Sequence, residues 1–214
     1  MPFDSNLIFL EETSVVARPI LSYAETKNRM AARLRHLGIR VKSVIEEERC
    51  FIVMGGPLPK IPQSIMVVGA NSVVVHPATG YTLARAMAVA PAVAGAIVEC
   101  LGGGSIIRGP EMYGRVWESL WPMEKRRERE YQNLGMEIML RLDLEKTRRF
   151  VESFFEVEPR YWQGFLSGRL SLGELITFGL SSFGKASARG KLDIVTTSPV
   201  PVAKFIRNLA LGDV

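Results

Sequence analysis

The stretch Val67–Ala86, VVGANSVVVHPATGYTLARA, carries the most informative pattern in the chain. Its apolar run stops at Gly69, which predicts the end of a strand, and Pro77-Ala-Thr-Gly80 then leads the chain into a helix. A helix N-terminus offers unpaired N–H groups and about half a positive charge, which suits an anionic ligand atom. Gly80 lets a flat ligand approach the backbone, and Pro77 fixes the entry of the chain. The pattern predicts a ligand-binding strand–loop–helix joint, although a purely structural joint has the same signature.

The segments before and around this joint have the patterns of short strands and two helices. The strand candidates are Leu7–Glu12, Ile39–Ile45, Phe51–Met54, Ile65–Val68 and Ser72–His76. Ser22-Tyr-Ala-Glu25 is a capping box that opens a helix, and Gly38 closes that helix. A longer helix is predicted from about Thr79 to Leu101. The fold class predicted from these signals is α/β (α+β), with mixed strands in the first third of the chain.

The composition changes after Leu101, and only helices are predicted from about Glu111 onward. The sequence therefore divides into a strand-rich part over 1–101, a linker over 102–110 and a helical part over 111–214. Ser171-Leu-Gly-Glu174 is a second capping box. Eight aromatic residues in the helical part form either a core or the wall of a pocket for a long apolar ligand. They are Phe150, Phe154, Phe155, Tyr161, Trp162, Phe165, Phe178 and Phe183.

Composition and charge exclude several classes of function for these 214 residues. The 47% hydrophobic and 23% charged residues are typical of a folded protein. The net charge of +5 is dispersed, and the mixed charges of Glu124–Arg149 predict a solvated helix face, so nucleic acid is not the expected partner. Two cysteines and two histidines predict no metal centre. The longest uncharged apolar run, Ala86–Val98, is shorter than the roughly 20 residues that span a bilayer.

Two further positions are candidates for proton chemistry. Glu11 and Glu12 are adjacent, so on a strand only one of them faces a given cavity. A carboxyl group among apolar side chains stays protonated near neutral pH and is able to donate a proton. The alternative is an acidic pair at the surface. His76 is either a catalytic base or a hydrogen-bonded loop residue.

Six stretches of the chain resemble motifs of the lycopene cyclases of plants, algae and cyanobacteria. They are FLEETSVVARP (Phe9–Pro19), MGGPLPKIPQ (Met54–Gln63), VHPATGYTLARAMAVAP (Val75–Pro91), LWPMEKRRERE (Leu120–Glu130), LDLEKTRRF (Leu142–Phe150) and PRYWQGFLSGRL (Pro159–Leu170). The motifs follow the family's order over nearly the whole chain. The later ones resemble the β-ring-forming branch more than the ε-ring branch.

The resemblance implies an FAD-dependent, Rossmann-type flavoprotein that uses reduced FAD, with NAD(P)H as the reductant. No G-x-G-x-x-G is present, so the chain is similar to the C-terminal part of such a protein, in which 1–101 belongs to the flavin and substrate domain and 111–214 to the substrate cavity. Related flavoproteins often carry an aspartate after the first glycine of the flavin-end joint, where this chain has Ala70. The positions that match the joint are Gly69, Ala70, Asn71, His76, Pro77, Thr79, Gly80 and Tyr81.

The activity implied by the resemblance is the non-redox closure of the ends of lycopene into β-rings. Glu11 is then the first candidate for the catalytic acid and Glu12 the second. The implied partners are lycopene or another linear carotenoid and a membrane surface, in a plastid for a plant or algal protein. The alternatives are a flavin-dependent prenyl or geranylgeranyl reductase, a monooxygenase, or a truncated fragment without activity.

Overall fold

The structure is a computed structural model that describes residues 1–4, 6–14, 16–59, 63–102 and 104–211. The chain divides into two compact units, Met1–Ile52 and Val53–Val214. The linker over 102–110 stays a prediction, and its Gly103 lies outside the described residues.

The first unit contains one helix, α1, over Tyr23–His36. It begins where the capping box predicts, because the Ser22 hydroxyl accepts a hydrogen bond from the Glu25 N–H at 3.2 Å. The chain then leaves the helix through Gly38, whose φ of +69° lies in the left-handed region that favours glycine. The start and the end of α1 are therefore both set by local sequence.

The predicted α/β (α+β) fold class is wrong for the described residues, which form helices and no sheet. The bridge between Pro2 and Ile8 is isolated and belongs to no strand. A strand exists only when a neighbouring strand takes up its N–H and C=O groups. Ile39–Ile45 and Phe51–Met54 have strand-like sequences, but these segments have no such neighbour in the described part of the chain. Apolar side chains such as Ile45 and Val53 are consequently exposed.

The second unit is helical, which confirms the prediction of helices after Glu111 for the described residues. Its helices are α2 (Leu83–Gly102), α3 (Pro110–Leu120), α4 (Met123–Met139), α5 (Leu144–Phe155), α6 (Pro159–Leu166), α7 (Leu172–Lys185), α8 (Ala188–Thr197) and α9 (Pro199–Leu211). A short 3-10 helix, Gly69–Ser72, precedes α2.

Helix α2 begins at Leu83, later than the predicted Thr79, because the chain first closes a tight loop. The His76 N–H donates to the Tyr81 carbonyl at 2.9 Å, and the Gly80 N–H donates to the His76 carbonyl at 2.9 Å. By length and apolar composition alone, α2 is able to cross a membrane, although core helices of soluble proteins satisfy the same criteria. Only 6% of its most apolar window is buried in the structure.

Two hydrophobic clusters hold the second unit together. The first joins the loop before α2 to α3 and contains Val73, Val74, Trp117, Leu120 and Trp121. The second joins α6 to α7 and contains Val157, Phe165, Leu170, Leu175 and Phe178. Phe154 packs edge-to-face on Phe165 and Phe178, with ring centroids 5.4 and 4.9 Å apart. Of the two interpretations of the aromatic residues, these contacts favour the core.

Helix α4 is not the solvated face that its mixed charges predict. Four of its polar residues are at most 5% exposed: Glu128, Arg129, Gln132 and Glu137. The helix packs against α7 and α9, and its buried charges have close partners. Glu128 pairs with Lys125 at 2.8 Å, and Glu137 pairs with Arg141 at 2.8 Å. Burial raises the pKa of Glu128, and its ion pair with Lys125 opposes that rise.

Replacing Ser171 with alanine is expected to lower the free energy of unfolding of the second unit by about 1 kcal/mol. The Ser171 hydroxyl accepts from the Glu174 N–H at 3.4 Å, and the Glu174 carboxylate accepts from the Ser171 N–H at 2.9 Å, which confirms the predicted capping box of α7. Urea unfolding followed by circular dichroism measures the change. The exposed Ser64 is the control, because Ser64→Ala is expected to change stability by less than about 0.5 kcal/mol. Equal losses in the two variants would contradict the capping role.

Candidate functional site

The eight residues predicted to meet a cofactor lie in one continuous segment, Gly69–Tyr81, which we call the joint loop. It consists of the 3-10 helix and the turn that leads to α2. Residues 72–78 are buried, whereas Ala70, Asn71 and Tyr81 are exposed. Val73 ends the 3-10 helix with a φ of 62°, a strained conformation for a β-branched residue. Its place in the first hydrophobic cluster offsets that strain.

Three hydrogen bonds fix the joint loop to the rest of the second unit and to itself. The Trp121 indole N–H donates to the Ser72 carbonyl at 2.8 Å. The Thr82 hydroxyl donates to the Val74 carbonyl, and the Ser72 hydroxyl donates to the Gly69 carbonyl at 2.8 Å. These bonds satisfy three backbone carbonyl groups of the loop and stabilise its shape.

His76 is the one titratable side chain of the joint loop that is fully buried, at 3% exposure. Its Nδ1 accepts a hydrogen bond from the Ala78 N–H at 3.3 Å, so the ring proton of the neutral imidazole lies on Nε2. Burial and, secondly, the positive charge of Arg85 lower the pKa of His76 to about 4. His76 is therefore neutral near pH 7. Its Nε2 is shielded from solvent and has no hydrogen-bond partner.

A small cleft lies against His76, and we call it the polar cleft. Its walls are His76, Tyr81, Arg85, Gln132 and the segment 166–168. Its volume is about 10 Å³, which is the room that one water-sized group needs. Besides His76 Nε2, two more atoms of these residues are buried without a partner, Nη2 of Arg85 and Oε1 of Gln132. Unpaired buried polar atoms are uncommon in folded proteins, and these three belong to residues that line one cleft.

Arg85 is held beside the cleft by an aromatic contact. Its guanidinium carbon lies 3.9 Å from the ring centroid of Trp121, which is fully buried. Burial and, secondly, the charge of Arg129 lower the pKa of Arg85 to about 10, so the side chain stays cationic at neutral pH. The joint loop is thus bordered by a fixed positive charge.

The predicted acids, Glu11 and Glu12, lie in the first unit, and their surroundings differ. Glu12 pairs with Arg33, whose Nη2 is 3.1 Å from Oε2, and its side chain is 9% exposed. Glu11 is exposed and forms no ion pair among the described residues. Phe9 and Leu10, just before it, are 51% and 39% exposed. The carboxyl group of Glu11, which has no cationic partner among the described residues, therefore lies next to apolar side chains that are accessible to a ligand.

Arg85 and Gln132 are residues that the sequence analysis missed. Arg85 is an isolated charged residue in the apolar stretch that follows Gly80, and this isolation is a sign of a functional role that the sequence does contain. Gln132 has no comparable signal in the sequence, because it lies in a helix whose charges predict a solvated face.

The two best-formed clefts of the described chain each have a volume of about 10 Å³, which is far too small for a carotenoid. Neither of these two clefts accommodates such a ligand.

Comparison with known proteins identifies the family. The family model described as lycopene cyclase protein matches residues 1–192. The chain belongs to the lycopene cyclase family. No solved structure matches it significantly.

Three curated relatives show how this lycopene cyclase family chain compares with longer members. A capsanthin/capsorubin synthase of Citrus sinensis is 61% identical over 99% of this chain and 42% of the relative. A neoxanthin synthase of Solanum lycopersicum is 59% identical over the same shares. A lycopene beta cyclase of Arabidopsis thaliana is 55% identical over 98% of this chain and 42% of the relative. The chain therefore spans less than half the length of these relatives.

Proposed function

We propose that the protein to which this chain contributes is a lycopene β-cyclase, which closes the ends of lycopene into β-rings. The observation that carries the proposal is 55% identity to a lycopene beta cyclase over 98% of the chain. The geometry supports it with an unpaired carboxyl group at Glu11 and a preformed joint loop in the second unit.

Glu11 is proposed as the acid that starts the reaction. Its carboxyl proton adds to C2 of the terminal C1–C2 double bond and leaves a cation at C1. The C5–C6 double bond attacks C1, which forms the C1–C6 bond and moves the cation to C5. Loss of the proton on C6 then makes the ring double bond. One proton is gained and one is lost, so the product is an isomer of lycopene.

The apolar neighbours of Glu11 suit a hydrocarbon substrate. Lycopene offers no hydrogen-bonding group, so its binding depends on buried apolar area, at about 25 cal/mol per Å². Packing of the polyene on Phe9 and Leu10 removes water from the adjacent carboxyl group. Desolvation favours the protonated form of a carboxyl group, which is the form that donates a proton. Substrate binding thus prepares the acid.

The joint loop is proposed to hold the flavin end of FAD, which NAD(P)H keeps reduced. Gly80, with a φ of +75°, leaves room for a flat ring, since a Cβ there would meet only the Cε and Sδ atoms of Met54, at 3.7 and 3.8 Å. Bound reduced flavin supplies negative charge that stabilises a cationic substrate. Gly69 and Ala70 carry no carboxylate for the ribityl chain, so that contact is left to Asn71 and Thr79.

A second candidate is the formation of capsanthin or capsorubin. It is favoured by the 61% and 59% identity to the two capsanthin/capsorubin synthases, which exceeds the identity to the lycopene beta cyclases. The two candidates differ in product, so product analysis separates them.

Location in a plastid membrane is also proposed. The relatives are named chloroplastic or chromoplastic. Helix α2 supports a peripheral membrane contact, because its apolar residues Met87 and Val98 are 70% and 66% exposed.

A chimera tests the proposed function. The matched 211-residue segment of the Arabidopsis thaliana lycopene beta cyclase is replaced by this chain, and the chimera is expressed in bacteria that accumulate lycopene. We expect lycopene to be converted to β-carotene, as measured by chromatography, and the chimera to be found in the membrane fraction. The relative without the segment is the negative control. If the chimera folds and contains flavin but leaves lycopene unchanged, the proposed cyclase function is contradicted. If leaves that express the chimera accumulate capsanthin or capsorubin, the second candidate is favoured.

A further inference from the structure

We propose that the outer face of α8 and α9 binds the surface of an anionic lipid bilayer. We call this surface the α8–α9 face, and its apolar members are all exposed: Ala188, Leu192, Val195, Val202, Ala203, Ile206 and Ala210. The inference rests on the membrane location proposed above and deepens it, because it names a binding surface and the class of lipid. It requires neither the cyclase reaction nor FAD.

Polar side chains of α8 and α9 are directed inward, where α8 contacts α5 and α9 contacts α4. Asp193 of α8 pairs with Arg149 of α5, with 2.8 Å between Oδ2 and Nη2. The Asn208 side chain of α9 donates to the Glu130 carboxylate of α4 at 3.0 Å. A surface helix of a soluble protein has the opposite arrangement, with its polar side chains toward water.

Apolar side chains of the same two helices are directed toward solvent. In α8, Leu192 and Val195 are 62% and 57% exposed, whereas Gly190 on the other side is buried. In α9, Ile206 is 59% exposed, and Pro201 on the other side is buried. Spacings of three or four residues place the exposed members of each helix on one stripe. Exposed apolar stripes on two successive helices indicate a surface that binds an apolar partner.

Cations flank these apolar stripes. Residues 185–211 contain five lysines and arginines and one aspartate, so they contribute +4 to a chain whose net charge is +5. Arg189 and Arg207 are exposed, and neither has an ion-pair partner among the described residues. Long cationic side chains beside an apolar stripe reach lipid headgroups while the stripe enters the boundary of the acyl chains.

The sign of the charge selects the occupant. Anionic headgroups complement the cations, and each Lys or Arg near such a surface strengthens binding about fivefold. A second copy of this chain would bring the same cations together, and like charges repel. A bilayer also suits the proposed substrate, because lycopene has no hydrogen-bonding group and is therefore found in apolar surroundings. A protein partner with an acidic rim is the alternative that the experiment below separates.

Flotation of the 214-residue chain with lipid vesicles tests the proposal. Vesicles of phosphatidylcholine alone are compared with vesicles in which a third of the lipid is phosphatidylglycerol. We expect binding to the anionic vesicles to be at least about tenfold tighter, and the difference to shrink as salt screens the charges. Equal binding to the two compositions would overturn the anionic assignment. Binding to neither would overturn the whole proposal and leave the α8–α9 face to a protein partner.

Leu192→Ser tests whether the α8–α9 face is the surface that binds. The change is expected to weaken binding to anionic vesicles about fivefold or more, because it removes a side chain that enters the bilayer. Leu144→Ser is the matched control and is expected to leave binding unchanged, because Leu144 is 65% exposed but lies on α5. Equal binding by Leu192→Ser and the unaltered chain would assign the contact to another part, such as α2, and overturn the α8–α9 face.

Arg207→Gln tests the role of the flanking cations. We expect it to weaken binding to anionic vesicles about fivefold. Arg40→Gln removes the same charge from an exposed position of the first unit and is expected to leave binding unchanged. Equal losses in the two variants would indicate a general attraction of net charge and overturn the local role of Arg207.

The controls keep this test separate from folding and from catalysis. Circular dichroism shows whether each variant folds, and if one does not, the comparison of the two vesicle compositions with the unaltered chain still decides the proposal. The vesicles contain no lycopene, so a face that fails to bind lipid is distinguishable from a cyclase that fails to form rings.

Discussion

Glu11→Gln in the chimera is expected to lower the rate of ring formation by at least about 100-fold, which is the lower end of the contribution of a general acid. Glutamine keeps the size and most of the hydrogen bonding of glutamate but has no acidic proton. This substitution is expected to change the free energy of unfolding little, because Glu11 is exposed and has no ion pair among the described residues. The measurement is β-carotene formed from lycopene at equal amounts of protein and flavin.

Glu12→Gln is the matched control for that variant. Glu12 is tied to Arg33 at 3.1 Å, so its proposed contribution is to hold α1 against the preceding segment. We expect Glu12→Gln to keep ring formation within about tenfold of the unaltered chimera, since an ion pair with an exposed partner contributes little. Normal cyclisation by Glu11→Gln, or its complete loss in Glu12→Gln alone, would contradict the assignment of Glu11 as the acid.

The parts of the fold that depend on neighbouring residues could be predicted from the sequence. Ser22 and Ser171 mark the starts of α1 and α7, because a cap is made by side chains and backbone groups within one helical turn. Strands require a partner that is distant in sequence, and the alternation in Ile39–Ile45 does not say whether a partner exists. The strands were therefore predicted wrongly, although their apolar patterns are real.

The part of the candidate site that is continuous in sequence could be predicted. Gly69–Tyr81 is one continuous loop, so glycine, proline and histidine spacing located it in the sequence. The polar cleft requires Arg85 on α2 and Gln132 on α4, two helices whose pairing the sequence does not show. Burial of Gln132 also depends on α7 and α9, which cover a helix that composition alone describes as solvated.

Trp121→Ala is expected to lower the free energy of unfolding of the second unit by about 3–5 kcal/mol, which is the usual cost of removing a buried indole. Trp121 is fully buried between the joint loop and α3, and it belongs to the first hydrophobic cluster. Its removal leaves a cavity, deprives the Ser72 carbonyl of its donor and exposes one face of the Arg85 guanidinium. Urea unfolding followed by the helical circular dichroism signal measures the loss.

Trp121→Phe separates the two contributions to this loss. Phenylalanine keeps most of the apolar area and an aromatic face for Arg85 but has no N–H for Ser72, so a loss of about 1–3 kcal/mol is expected from the unsatisfied carbonyl and the smaller ring. If Trp121→Ala cost less than about 1 kcal/mol, the joint loop would not depend on α3 for its shape. The polar cleft would then have no fixed wall at Arg85, because the ring of Trp121 is what holds the guanidinium beside His76.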